Sequence, residues 1–155
     1  MRKKPLVLTN GRPEELQAGD QLDLATEMDI TDKVNGESVP LVKGQAVTIN
    51  GSGQVILAKA DAAGTANVLG FVRENTIDPN VSGSIQIEGQ LELIDWTDLT
   101  GGADLSAGSD YYLSASDAGK LTTVAPTTPG QYVCFVGFAV SAKTLFVKWD
   151  RVIRL

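Results

Sequence analysis

The chain has 155 residues, of which 43% are hydrophobic and 21% charged, and a net charge of −6. That length and apolar fraction suit one domain with its own core and argue against wholesale disorder. The acidic balance argues against a nucleic-acid partner, and no run of about eighteen apolar residues is present to cross a membrane as a helix.

The chain starts with Arg2, Lys3 and Lys4, then a brief apolar run, Pro5-Leu6-Val7-Leu8, that breaks at Thr9-Asn10-Gly11. The run is too short for the apolar core of a signal peptide, so none is expected. The basic residues read as a solvated terminus, and Leu6 to Thr9 as a short strand. Pro13 lacks an amide donor, which argues against a second strand directly after Asn10-Gly11-Arg12. Pro13 to Gln17 has room for one helical turn at most. Up to residue 40 acids recur (Glu14, Glu15, Asp20, Asp23, Glu27, Asp29, Asp32, Glu37) and apolar residues are sparse and without period. Residues 1–40 therefore read as an extended arm. Such an arm cannot bury enough surface alone and must pack on its own domain or on another subunit.

From residue 41 onward strand signals dominate. Short runs of Val, Ile, Leu, Thr and aromatics alternate with Gly, Asn, Asp, Pro and Ser. The predicted strands are 46–49, 54–59, 67–72, 83–88, 90–93, 111–113, 121–124, 131–140 and 144–149. Alternation is clearest at Ser84-Ile85-Gln86-Ile87-Glu88, where the isoleucines should face the core and the polar residues face away. Asp61 to Gly64 reads as a single helical turn.

This region also repeats itself. Gly44 and Gly108 stand 64 residues apart, Gly53 and Gly119 stand 66 apart, and Gly70 and Gly137 stand 67 apart. Each copy reads as a Leu-x-x-Gly turn, a strand, a Gly-led hairpin return and a strand carrying Gly-Phe. Gly70 and Gly137 fall inside strand runs, which predicts a bulge, a bend or a close backbone approach. The expected fold is all-β: a compact β-barrel or β-sandwich built from two pseudo-repeated β-units, about 41–95 and 105–155. Together these form a β-domain over 41–155 behind the arm.

Residues suited to chemistry are few. Histidine is absent, which removes the commonest general base and transition-metal ligand. Cys134 is the only cysteine and sits in Tyr132-Val133-Cys134-Phe135-Val136, so it reads as a small buried hydrophobe. Phosphate-loop and dinucleotide fingerprints are missing. Asp95 and Asp98 flank Trp96 and could form an acid–base pair, but a polar turn explains them better. Asp29 to Glu37 fails the calcium-loop spacing at Thr31 and Lys33. Asn50-Gly51-Ser52 and Asn80-Val81-Ser82 fit the glycosylation pattern, which is frequent by chance. No catalytic residue, no metal and no cofactor is expected, and the chain is not read as an enzyme.

Two segments resemble parts of tailed-bacteriophage virion proteins. The first is Pro5-Leu6-Val7-Leu8-Thr9-Asn10-Gly11-Arg12 followed by Leu16-Gln17-Ala18-Gly19-Asp20-Gln21-Leu22. The second runs from Gly108-Ser109-Asp110-Tyr111-Tyr112-Leu113-Ser114 through Gly119-Lys120-Leu121-Thr122 to Val136-Gly137-Phe138-Ala139, and is similar to modules of phage tail-fibre proteins. The resemblance implies a capsid decoration, or cement, protein that binds the outside of a phage capsid and bridges its subunits. The major capsid protein and further copies of the chain, as a homotrimer, would be its partners. Its place would be the virion surface after synthesis in the host cytoplasm. Pro5, Leu6, Val7, Leu8 and Leu16 would supply the arm's contacts. The rival reading is a tail-fibre, collar or other tail-associated protein, with receptor or carbohydrate binding through Trp96, Tyr111, Tyr112 or Trp149. Those aromatics are read first as core or interface anchors. Neither nucleic acid nor membrane is an expected partner.

Overall fold

Short β-branched runs punctuated by glycine pair almost entirely into antiparallel ladders. The computed structural model describes residues 6–9, 12–15 and 27–155. In chain order the strands are β1 (Leu6–Thr9), β2 (Arg12–Glu15), β3 (Met28–Val34), β4 (Leu41–Val42), β5 (Ala46–Ile49), β6 (Val55–Leu57), β7 (Gly70–Val72), β8 (Thr76–Ile77) and β9 (Ser82–Glu92). A one-turn helix, α1 (Thr97–Thr100), separates these from β10 (Asp110–Leu113), β11 (Leu121–Thr122), β12 (Tyr132–Val133), β13 (Phe135–Ala139), β14 (Thr144–Val147) and β15 (Ile153–Arg154). The expected all-β class holds: strand takes 40% of the chain and helix 3%.

The main sheet is antiparallel and curls into a half-barrel. Its order is β11-β10-β13-β14-β9-β7-β5-β6, with β3 also paired to β9. The long β9 is shared, because β7 pairs with its first half and β14 with its second. Gly89, at φ 98°, lies between the two halves, so the two strands predicted at 83–88 and 90–93 are one strand.

The duplication is visible bond by bond. In the first unit β5 pairs with β6 and β7, and in the second β10 pairs with β11 and β13. Gly44 N–H donates to Val72 O at 2.9 Å, and Gly108 N–H to Ala139 O at 2.7 Å. Val72 N–H returns to Gln45 O, and Ala139 N–H to Ser109 O. Gln45 N–H closes on Val42 O, and Ser109 N–H on Ser106 O. These pairs keep the offsets of 64 and 67 read from the sequence. Both turn glycines have left-handed φ, 86° and 82°, which explains glycine there. The units also interlock, since Gly119 O accepts from Ala46 N–H and Gly119 N–H donates to Ala58 O.

Two apolar clusters follow. The smaller joins Leu41, Val47, Val55, Val72, Ile77 and Ile85 of the first unit. The larger centres on Trp96, Phe71, Tyr111, Leu113 and Leu145 and draws on both units. One terminal edge is visibly closed. Gly36 N–H donates to Val55 O at 2.8 Å, and the Glu37 carboxylate accepts Leu57 N–H at 2.9 Å, so the outer side of β6 is occupied. At the other end α1 packs beside β11. Covering sheet edges in this way prevents indiscriminate strand addition.

Three expectations change. The arm expected over 1–40 does not extend to residue 40, because β3 pairs with β9 and Asn35 is fully buried. The Asn35 amide donates to Ile77 O at 2.8 Å and Val39 O at 3.0 Å, which fixes the chain where it enters the first unit. The β-domain therefore starts before residue 41. Gln86 does not face water: it is buried, with its amide donating to Glu88 O and Gln90 O and the Arg73 guanidinium beside its Oε1. Pro13 lies inside β2, opposite Leu8. Thr9 pairs with Arg12 across two residues, so Pro13 falls in the next, non-hydrogen-bonded pair, where a missing N–H costs no ladder bond.

Candidate functional site

The N-terminal residues singled out in the sequence divide into two groups. Leu6, Val7 and Leu8 lie on β1, whose partners across the hairpin are Glu15, Glu14 and Pro13. Pro5 and Leu16 lie outside the described residues. The hairpin forms a sheet of its own, separate from the main one.

The root of this segment is tied down by charge. The Arg73 guanidinium reaches Glu27 at 2.5 Å through Nη1 and Asp29 at 3.0 Å through Nε. Nη1 also lies 3.4 Å from Gln86 Oε1. The buried Gln86 amide donates onward to Gln90 O at 2.9 Å. The bond to Glu27, with the carboxylates of Asp29 and Glu74 nearby, raises the Arg73 pKa and keeps the guanidinium charged. Each of these half-exposed pairs contributes about 1 kcal/mol or less, so their effect is to fix direction more than stability. Sequence reasoning missed this cluster. The available signal was that Arg73 is the only arginine between Arg12 and Arg151.

The carboxylates near Trp96 serve the turn. Asp95 Oδ1 accepts the Thr97 N–H at 2.8 Å, and that bond holds the Asp95 carboxyl below the usual range. Asp104 pairs with Lys143 Nζ at 2.6 Å, which lowers its pKa likewise. A general acid at neutral pH needs the opposite shift. Among the described residues no three acidic, histidine or cysteine side chains gather around one point.

The candidate aromatics separate cleanly. Trp96 is fully buried and Tyr111 nearly so, with its hydroxyl accepting the Ser106 N–H at 2.9 Å. Tyr112 is half-buried, edge-on to Phe135 with ring centres 6.0 Å apart. Trp149 alone is exposed, at 52%, and it borders a groove floored by Val68, Cys134 and Phe135.

Cys134 is 1% exposed and donates to Ala66 O at 3.1 Å. Burial pushes its thiol pKa up to about 11. The reactive thiolate is therefore about a hundredfold scarcer than in the unfolded chain at pH 8. Iodoacetamide should leave native Cys134 intact and label it rapidly in denaturant, as mass spectrometry would read. Folding favours the neutral thiol, so this group's contribution to stability is complete below pH 9 and is lost as pH rises through about 11. Labelling at equal rates in both states would contradict the buried placement.

No protein-family profile matches the chain, and no curated protein matches it either.

Proposed function

We propose that this chain is a non-enzymatic virion protein of the bacteriophage decoration type, which docks on a capsid and bridges neighbouring subunits through its N-terminal segment. The observation that carries the reading is the separate β1–β2 hairpin. A lone two-stranded hairpin is at best marginally stable in water, and three or more strands or a packed face are needed for independent stability. A strand bearing Leu6, Val7 and Leu8 gains that support by pairing with, or packing on, another subunit. The Arg73 cluster would then set where the segment leaves the β-domain. The resemblance of residues 5–22 and 108–139 to phage virion proteins points the same way.

The mechanism is linkage. A protein that binds only the assembled shell stabilises it by mass action against outward pressure from packed DNA. Several weak contacts held by one rigid domain act at high effective concentration, so no single contact needs to be strong.

The test removes residues 1–20 from the chain and measures occupancy on purified capsids by electron microscopy, with oligomeric state by light scattering. The truncated chain should keep its β-domain and lose at least about tenfold in capsid occupancy, the scale expected when one anchoring segment of a multivalent contact is lost. Full occupancy and an unchanged oligomeric state would refute the role of the hairpin. Density for the intact chain on a tail rather than a capsid would replace decoration with a tail role.

A further inference from the structure

We propose that the groove beside Trp149 is a binding site for a neutral saccharide. β14 ends at Val147, but the next residues stay on the sheet: Lys148 N–H donates to Val136 O at 3.1 Å and Asp150 N–H to Phe135 O at 3.3 Å. This extension leaves Trp149 at the surface, half exposed. The groove it borders encloses about 360 Å³. That volume lies at the lower end of small-ligand sites, about 300–1,000 Å³.

The lining has the two kinds of surface that a pyranose presents. A sugar ring has one face of C–H groups and a rim of hydroxyls that both donate and accept. Val68, Phe135 and the indole of Trp149 supply an apolar floor and a flat wall for the C–H face. Asn67, Asp150 and Arg151 also line the groove, and their side chains are of the amide, carboxylate and guanidinium types that suit hydroxyls. Asp150 Oδ1 accepts the Arg151 N–H at 2.6 Å, which anchors the carboxylate.

Charge selects the ligand class. Asp150 and Arg151 both line the groove and carry opposite charges, so together they add no net charge to its lining. A wholly apolar occupant seated against these two side chains would offer nothing to replace the water it displaced from them. A polyhydroxylated neutral ligand can replace that water, because each hydroxyl both donates and accepts. The other candidate aromatics lack this setting, since Trp96 and Tyr111 are buried and Tyr112 is packed against Phe135.

The inference does not depend on the decoration reading. A chain that bound a glycan but no capsid would keep this site and lose that role.

The chain has only two tryptophans, which makes the test direct. The intact protein is applied to an array of neutral bacterial-type oligosaccharides. Hits are then titrated as free sugars while tryptophan emission is followed. Buried Trp96 reports the fold and exposed Trp149 reports the site. At least one neutral glycan class should be retained, with quenching or a blue shift of the exposed component. Trp149→Ala should weaken binding at least tenfold, Asp150→Asn and Arg151→Gln severalfold, and Trp149→Phe less than Trp149→Ala. The Asp150 and Arg151 variants keep the indole in place, so a loss with them cannot be blamed on a missing ring. Three results would each overturn the proposal. They are no retained glycan together with no emission change at millimolar sugar, glycan binding that survives Trp149→Ala, and a Trp149 already shielded from acrylamide by a second copy.

Discussion

Replacing Gly137 with alanine is expected to lower stability by about 3 kcal/mol, and replacing Gly70 should have a similar effect. A β-carbon on Gly137 would stand 2.2 Å from Phe146 O, and one on Gly70 would stand 2.3 Å from Gln86 O. Both obstacles are backbone carbonyls of the next strand, so no side-chain rotation can relieve them. The strands must separate, and the ladder bonds weaken with them. Gly137 also sits at φ 153°, which side chains disfavour. For a domain of this size the loss amounts to about 6–12 °C in Tm, measured by calorimetry. Gly51→Ala is the control, because nothing lies within 4 Å of its added carbon. That variant should stay within about 0.5 kcal/mol of the parent. The match between Gly70 and Gly137 is itself informative. Phe71 opposes Gln86 and Phe138 opposes Phe146, so each glycine meets the carbonyl opposite the phenylalanine that follows it. If either alanine variant melts within about 2 °C of the parent, the close approach of the strands is wrong at that unit.

The same pair explains why so much of the fold could be read in advance. A glycine inside an apolar strand-like run lowers strand propensity, so its presence at both 70 and 137 signals a steric need that repeats with the unit. Leu41 and Leu105, buried at the start of each unit, carry the same register. Other features had no local signal. β3 is half exposed on both faces and is bulged between Met28 and Asp29 and between Ile30 and Lys33. Its residues therefore never alternate, and its acids read as arm. Gln86 looks like a solvent-facing residue because its neighbours are isoleucines. Its burial comes from Arg73, which lies beside its Oε1 while paired to the distant Glu27, a contact no local pattern announces. β8, β12 and β15 are two-residue strands whose partners lie twenty or more residues away, beyond any local pattern. The polar cluster behaves similarly. Arg73 stands 46 residues from Glu27 and 44 from Asp29, and their meeting is a property of the sheet rather than of a motif.

Trp96→Ala should cost about 4 kcal/mol and lower Tm by about 8–16 °C. Trp96 is the largest fully buried side chain and belongs to the cluster that draws on both units. Removing it opens a cavity bordered by elements that cannot all collapse into it. Leu99 on α1, Leu105 on the following turn and Leu145 on β14 share that cluster, and β14 is held by β9 and β13. Trp96→Phe separates packing from hydrogen bonding. The indole N–H donates to Lys143 O at 2.9 Å, but that carbonyl also accepts Leu93 N–H at 3.1 Å. Losing the indole donor therefore leaves the acceptor satisfied. The phenylalanine variant should cost only about 1–2 kcal/mol, mostly from lost ring volume. Lys143 links the same turn through its ion pair with Asp104, whose Oδ1 faces the Trp96 N–H at 3.3 Å. An intact turn should keep that pair in the phenylalanine variant and loosen it in the alanine variant. Hydrogen exchange at Trp96, Leu99 and Thr100 would report the difference, since all three amides donate within or into this turn. Equal destabilisation by alanine and phenylalanine would mean that the indole N–H bond, rather than the buried ring, holds the two units together.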